Sequence, residues 1–217
     1  ANSLLKTLEE PPPRAVVILV GTSLERQLPT IRSRSQIIRF AKLDEETIAR
    51  LLQSRNLVSD PADARRIAEH SGGSLQRAAE LLDADYWTFR GAWLKRLAEP
   101  ALDSLASAAL ILGFSEAAGK ESAARRNRLK QAIDLAIDFY AALARSLAGA
   151  GDADESDVAT AVQRRRATWT GGEETAITAT ERSLEAREQL DRYAHQATVV
   201  ECWLDELVRM QTPAVHS

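Results

Sequence analysis

Leu129-Lys130-Gln131-Ala132-Ile133-Asp134-Leu135-Ala136-Ile137-Asp138-Phe139-Tyr140-Ala141-Ala142-Leu143-Ala144-Arg145-Ser146-Leu147 sets the fold class of this 217-residue chain. Leu129, Ile133, Ala136, Tyr140, Leu143 and Leu147 recur at spacings of three and four, which lines one face of an α-helix with apolar groups. Leu190, Tyr193, Ala197, Val200, Leu204 and Leu207 repeat the pattern with a period near 3.5, which favours long packing against neighbouring helices. An acidic loop from Gly149 to Asp157 and a break at Gly171-Gly172 separate the two runs. From about residue 86 the chain therefore reads as an alanine-rich helical bundle.

Toward the N-terminus the helices become shorter. Asp44 is placed to cap a helix with Ile48, Leu51 and Leu52 on one side. Asp60-Pro61, a cap followed by proline at the first helical position, opens a second helix running to about His70. Gly72-Gly73 ends it, and Ser74 is placed to cap a third from Leu75 to Leu82. Before these helices the pattern changes. Residues 2–10 read as a short helix stopped by Pro11-Pro12-Pro13. The apolar run Ala15-Val16-Val17-Ile18-Leu19-Val20 suits a strand covered on both faces, and Ile37-Ile38-Arg39-Phe40 reads as a second strand. Two strands and one helix cannot close an α/β layer, because both faces of a sheet need cover. The expectation is a mainly α protein. It would hold the remnant of an α/β domain (two strands), a three-helix unit and a C-terminal helical bundle, and would form the C-terminal part of a longer chain. The alternative is a self-contained helical protein with a small two-stranded appendage.

Composition narrows the function classes. Apolar residues are 45% of the chain and charged ones 27%, enough to build a core and too apolar for a disordered chain. No apolar stretch approaches the roughly 18 residues of a membrane span, and no signal-peptide pattern opens the sequence. Cys202 is the single cysteine and the histidines number three, which argues against disulfide scaffolds and metal enzymes. The net charge of −3 argues against coating nucleic acid by bulk charge. A soluble, cytoplasmic protein is expected. The charge is uneven, however: residues 1–40 hold six Lys/Arg against three acids, a local +3 that leaves −6 for the remainder.

That basic segment contains Leu28-Pro29-Thr30-Ile31-Arg32-Ser33-Arg34-Ser35-Gln36, lying between the two expected strands. With the opening Leu4-Leu5-Lys6-Thr7-Leu8-Glu9-Glu10-Pro11-Pro12, it resembles the AAA+ clamp-loader subunits of DNA replication. Those show L-L-K-x-L-E-E-P-P, an apolar strand ending in a polar sensor residue, then L-P-x-x-x-x-S-R-C. The order agrees over about forty residues, with three residues between Pro29 and Ser33 where that pattern has four, and with Ser35 standing where the family has cysteine. The resemblance implies that Arg34, flanked by Ser33 and Ser35, is an arginine finger acting in trans on a neighbouring subunit's ATP. A guanidinium is always charged and offers a rigid fork of donors to a transferring phosphoryl group. On composition alone, Arg32, Arg34 and Arg39 would read as a solvated basic surface. Thr22 falls at the sensor 1 position, or else simply ends a strand.

A second motif separates subunit types. ATP-hydrolysing loader subunits resemble G-S-x-R-D-A where this chain has Gly73-Ser74-Leu75-Gln76-Arg77-Ala78. Their sensor 2 arginine is replaced by Gln76, and Arg77 lies one residue on, about 100° around a helix. The pattern is more similar to the G-S-x-x-R-A of the delta prime type of bacterial DNA polymerase III. Arg77 is then a weak nucleotide-binding candidate and more simply a surface or interdomain salt bridge. No P-loop is found: Gly113 to Lys120 has one residue too many and Glu121 in place of the hydroxyl. Leu204-Asp205-Glu206 imitates an acidic Walker B pair but sits in an amphipathic helical pattern. The fragment is expected to bind no cofactor of its own, with ATP and Mg at the neighbouring subunit. Gln163-Arg164-Arg165-Arg166 reads as a basic helix end, with DNA phosphates as the lesser alternative. His70, His195 and His216 read as structural, the four tryptophans as core or interface anchors, and Cys202 as a buried small apolar residue.

The implied organisation is 1–41 as the end of an AAA+ α/β domain, 42–84 as a three-helix lid, 86–212 as a helical collar and 213–217 as a disordered tail. The implied partners are other clamp-loader subunits (gamma/tau and delta), with the sliding clamp and primed DNA reached through the complex, and no membrane. Two rivals remain. One is a motor-type gamma/tau-like ATPase whose P-loop lies upstream; the other is a non-catalytic helical interaction module.

Overall fold

The computed structural model describes residues 14–21, 24, 27–150, 156–192 and 195–211. The expected helix over 2–10, Thr22, Tyr193, most of the acidic loop and the tail at 213–217 lie outside the described residues. Among the described residues the fold is helical, and no strand is formed. Val16 to Val20 and Ile37 to Phe40 carry no ladder, which corrects the two expected strands. The reason is physical. A helix closes its hydrogen bonds within itself, whereas a strand must find them on a neighbour, and no neighbour flanks these segments among the described residues.

The chain divides after Leu75 into two compact units. In the first, α1 (Pro29–Arg32) is a single turn started by its proline. Helix α2 (Glu45–Ser54) begins where expected: the Asp44 carboxylate accepts from the Thr47 N–H at 2.7 Å and from its hydroxyl at 3.0 Å. It ends on Asn56 with φ of 54°, and the Asn56 and Leu57 N–H groups return to Gln53 and Leu52 carbonyls. That is the paired return typical of a left-handed helix stop. Helix α3 (Pro61–His70) starts with Asp60 accepting from the Ala62 N–H at 3.0 Å. Ile48, Ala49 and Leu52 of α2 are buried, as are Ala64, Ile67 and Ala68 of α3, and the two helices pack together. Gly73 closes the pair. Its carbonyl accepts from the Leu43 N–H at 3.1 Å, its φ is 83°, and a Cβ there would fall 2.6 Å from that of Lys42. No other residue fits that contact.

Helix α4 (Leu75–Glu80) opens as the chain crosses into the second unit. Helices α5 (Ala84–Leu97), α6 (Ser104–Glu116), α7 (Ser122–Leu147), α8 (Asp157–Arg166), α9 (Gly172–Asp191) and α10 (Gln196–Gln211) follow. Asp83, Asp103 and Ser156 cap α5, α6 and α8 with side-chain oxygens on early N–H groups. Helix α7 is the hub and packs on α5, α6, α8 and α9. Leu129, Ile133, Ala136, Tyr140 and Leu143 are buried as the repeat requires. Leu135 and Phe139 are buried as well, because a helix with neighbours on several sides needs more than one apolar stripe. The run from Leu190 to Leu207 is divided between α9 and α10 rather than continuous. Consecutive helices that pack on one another must reverse direction between them: the Trp203 indole N–H donates to the Ser183 hydroxyl at 3.0 Å, and Arg182 pairs with Glu206.

Candidate functional site

The segment 28–36 is built around the single turn of α1. Leu28 stands extended ahead of it and Pro29 fixes its first φ, so Arg32, Ser33 and Arg34 follow on one tight turn. The Ser33 hydroxyl donates to the Thr30 carbonyl at 3.2 Å. Arg34 donates through Nη1 to the same carbonyl at 3.2 Å and to the Ser33 oxygen at 3.3 Å. Ser35 is half-buried, and Arg32, Arg34 and Arg39 are exposed. The segment thus holds a permanently charged guanidinium at the surface, steadied by its own turn. In water its reach for a phosphate is small. Inside a closed, low-dielectric interface it grows several-fold. Thr22, the sensor 1 candidate, lies outside the described residues.

The second motif is resolved in detail. Gln76 donates its side-chain amide to Glu80 one turn along α4, at 3.4 Å. Arg77 instead reaches Asp138 on α7 at 3.3 Å, the surface salt bridge that the one-residue offset suggests. Asp138 is the partner that sequence reasoning did not name. Its signal was an acid recurring at Asp134 and Asp138, four residues apart, inside an otherwise apolar run. Partial desolvation holds the Asp138 carboxyl above the ordinary carboxylate value, while Arg77 pulls it back.

Other sequence candidates resolve as structural groups. Arg165 is buried, stacks over the Trp169 ring at 4.7 Å and donates to Gln211 and Thr168; Arg166 donates to Ser146. Two of the three arginines in that run are therefore engaged within the bundle, at the carboxyl end of α8 where cations are favoured. His70 faces the Arg66 carbonyl at 2.8 Å and His195 the Thr198 hydroxyl at 3.1 Å. Trp93 and Trp203 are fully buried and meet edge to face at 6.3 Å. Cys202 is exposed, correcting its expected burial. It precedes Trp203, and one residue of helix turns it off the packed face. Arg90, absent from the sequence candidates, is also buried: it grips Asp157 through Nε and Nη2 at 2.8 and 2.6 Å. Among the described residues, no cluster of His, Cys, Asp and Glu is arranged to hold a metal, and no helix is long and apolar enough to cross a membrane.

Residues 1–44 match the model of a family described as DNA polymerase III, delta subunit. The chain is also 35% identical over 86 residues to DNA polymerase III subunit gamma of Buchnera aphidicola subsp. Acyrthosiphon pisum (strain APS). It is 36% identical over 86 residues to subunit gamma/tau of Mycobacterium tuberculosis (strain ATCC 25618 / H37Rv). Over these stretches the chain is similar to subunits of DNA polymerase III. Both matches cover 38% of this chain, and they span only 24% and 15% of the respective relatives. The clamp-loader likeness is therefore carried by a minority of the residues, while α5 to α10 contribute the helical architecture.

Proposed function

We propose that the chain acts in a DNA polymerase III clamp loader as a delta prime type subunit, a stator that supplies Arg34 in trans to a neighbouring ATPase. Residues 1–41 would end an AAA+ domain, 42–84 form its lid, and 86–212 form the collar that joins gamma/tau and delta subunits. ATP with Mg would sit in the neighbour, and the assembled ring would place the sliding clamp on primed DNA. The observation that carries the reading is the pair Gln76 and Arg77. An amide turned toward Glu80 stands where a nucleotide-using subunit has its sensor arginine, and the adjacent arginine is committed to Asp138. The exposed Arg34 on its self-braced turn supports the finger role.

Reconstitution tests it. A loader assembled with Arg34→Ala should lose DNA-dependent ATP hydrolysis at one site by roughly 10³-fold or more, the range seen for arginine fingers. Full activity in that assembly would overturn the assignment. A motor-type gamma/tau reading is favoured by one specific observation, the names of the two relatives above. It predicts a G-x-x-x-x-G-K-[ST] loop upstream and ATP binding by the subunit itself.

A further inference from the structure

We propose that the place in the second unit where α7 and α8 finish is a contact surface for single-stranded nucleic acid, with Arg145, Arg164 and Arg166 on its phosphates and Trp169 against a base. Arg145 stands in the last turn of α7, and Arg164, Arg165 and Arg166 stand in the last turn of α8. Arg166 donates through Nη1 to the Ser146 hydroxyl at 3.1 Å, which brings the two helix ends together. Arg165, between its two neighbours, is buried, with its guanidinium 4.7 Å from the centre of the Trp169 ring. That contact fixes Trp169 just beyond the helix, its ring only half-buried and its indole N–H on the Gly172 carbonyl at 2.8 Å. Arg145, Arg164 and Arg166 are exposed.

Charge sets this place apart. Arg90, Arg128 and Arg187 each meet a carboxylate elsewhere in the bundle. Among the described residues, no carboxylate pairs with Arg145, Arg164 or Arg166. The carboxyl ends of two helices together supply only about one negative charge against these guanidinium groups. Glu173 and Glu174 open α9 nearby, where the positive end of their own helix favours them. The guanidinium fork suits phosphate and carboxylate alike, so the aromatic ring decides the ligand. An unpaired base has a flat face to lay on a half-exposed indole, whereas an acidic side chain has none and a duplex hides its bases. This is binding by a local patch, consistent with a chain whose net charge is −3. The surface lies outside segment 28–36 and does not rest on the stator reading.

Fluorescence anisotropy of the full chain with a labelled oligo(dT) of about 20 nucleotides tests it, a length beyond the ~4–16 that a stacking groove covers. The chain should bind with a Kd on the order of 1–100 μM at low salt and let go as salt rises. Arg145→Ala and Arg166→Ala should each weaken binding about 3- to 10-fold and lower the salt slope by about 0.7, the share of one phosphate on a single strand. Trp169→Phe, which keeps a ring over Arg165, should weaken it about 2- to 5-fold through poorer stacking. Arg39→Ala in the N-terminal basic segment and Lys95→Ala on α5 should leave affinity and slope unchanged. Absence of binding by the unaltered chain, or a loss in Arg39→Ala equal to that in Arg145→Ala, would overturn the proposal. So would polyglutamate that displaces the oligonucleotide as readily as unlabelled oligo(dT) does, since the patch would then serve an acidic protein.

Discussion

Val16, Ile18 and Val20 are as apolar as Leu129, Ile133 and Leu143, yet the first three are 80% exposed or more and the second three are fully buried. Hydrophobicity is therefore not what separates the N-terminal segment from the bundle. The difference is where the backbone finds its hydrogen bonds. In α7 each turn supplies its own, and any apolar neighbour then suffices to cover the stripe. A β-branched run like 15–20 gains nothing until strands flank it on both edges. The bundle is organised by partners close at hand, whereas the N-terminal segment carries apolar surface of the kind that another layer of secondary structure would cover.

Three experiments press on that contrast, beginning with the largest effect. Trp203→Ala removes a fully buried ring and its hydrogen bond to Ser183. It should cost the second unit roughly 3–5 kcal/mol in denaturant unfolding and leave α2 and α3 unaffected. Simultaneous loss of protection in α2–α3 and α9–α10 would show that the two regions unfold as one. In the exposed segment, Val16→Ser with Ile18→Ser should change stability by less than about 0.5 kcal/mol, because little burial is lost. A shift beyond about 2 kcal/mol in the melting of the chain would mean that these residues already have cover.

The smallest effect concerns pH. Hydrogen bonds from the Thr47 N–H and hydroxyl hold the Asp44 carboxyl below its ordinary 3.8. A carboxylate depressed by folding stabilises the folded state above its unfolded pKa and loses that contribution as pH falls through the folded value. Helix α2 should therefore fray at its amino end only in acid below 3.8, with Asp44→Ala removing that dependence. Following the Thr47 amide by NMR from about pH 5 to about pH 2 checks the sign. A midpoint at or above 3.8 would reverse it.

Local chemistry was the legible part. Asp44, Asp60 and the Gly72-Gly73 stop act within one turn, so neighbouring residues suffice to place them. The stretch Leu28 to Gln36, taken with Leu4 to Pro12, likewise points to a family because a motif is itself a local pattern. Long-range choices were less readable. The repeat from Leu190 to Leu207 looks continuous, and only the packing of α10 back on α9 reveals the reversal. Cys202 could be judged only once Trp203 and Leu204 had fixed the buried face. The partner of Arg77 stands 61 residues away, and no spacing rule reaches that far.

Gly73 has a consequence for how the chain tolerates change. Its carbonyl and the Leu43 N–H are joined, so the two helices between them enter and leave the fold at one point. The connection closes a loop of about thirty residues, and lengthening such a loop costs only slowly growing entropy. Extra residues spliced between α2 and α3 would be absorbed inside that ring, with Lys42 and Ser74 remaining neighbours. A single methyl group added at Gly73 would instead force the ring open at its clasp, which makes this position less forgiving than the whole connection it closes.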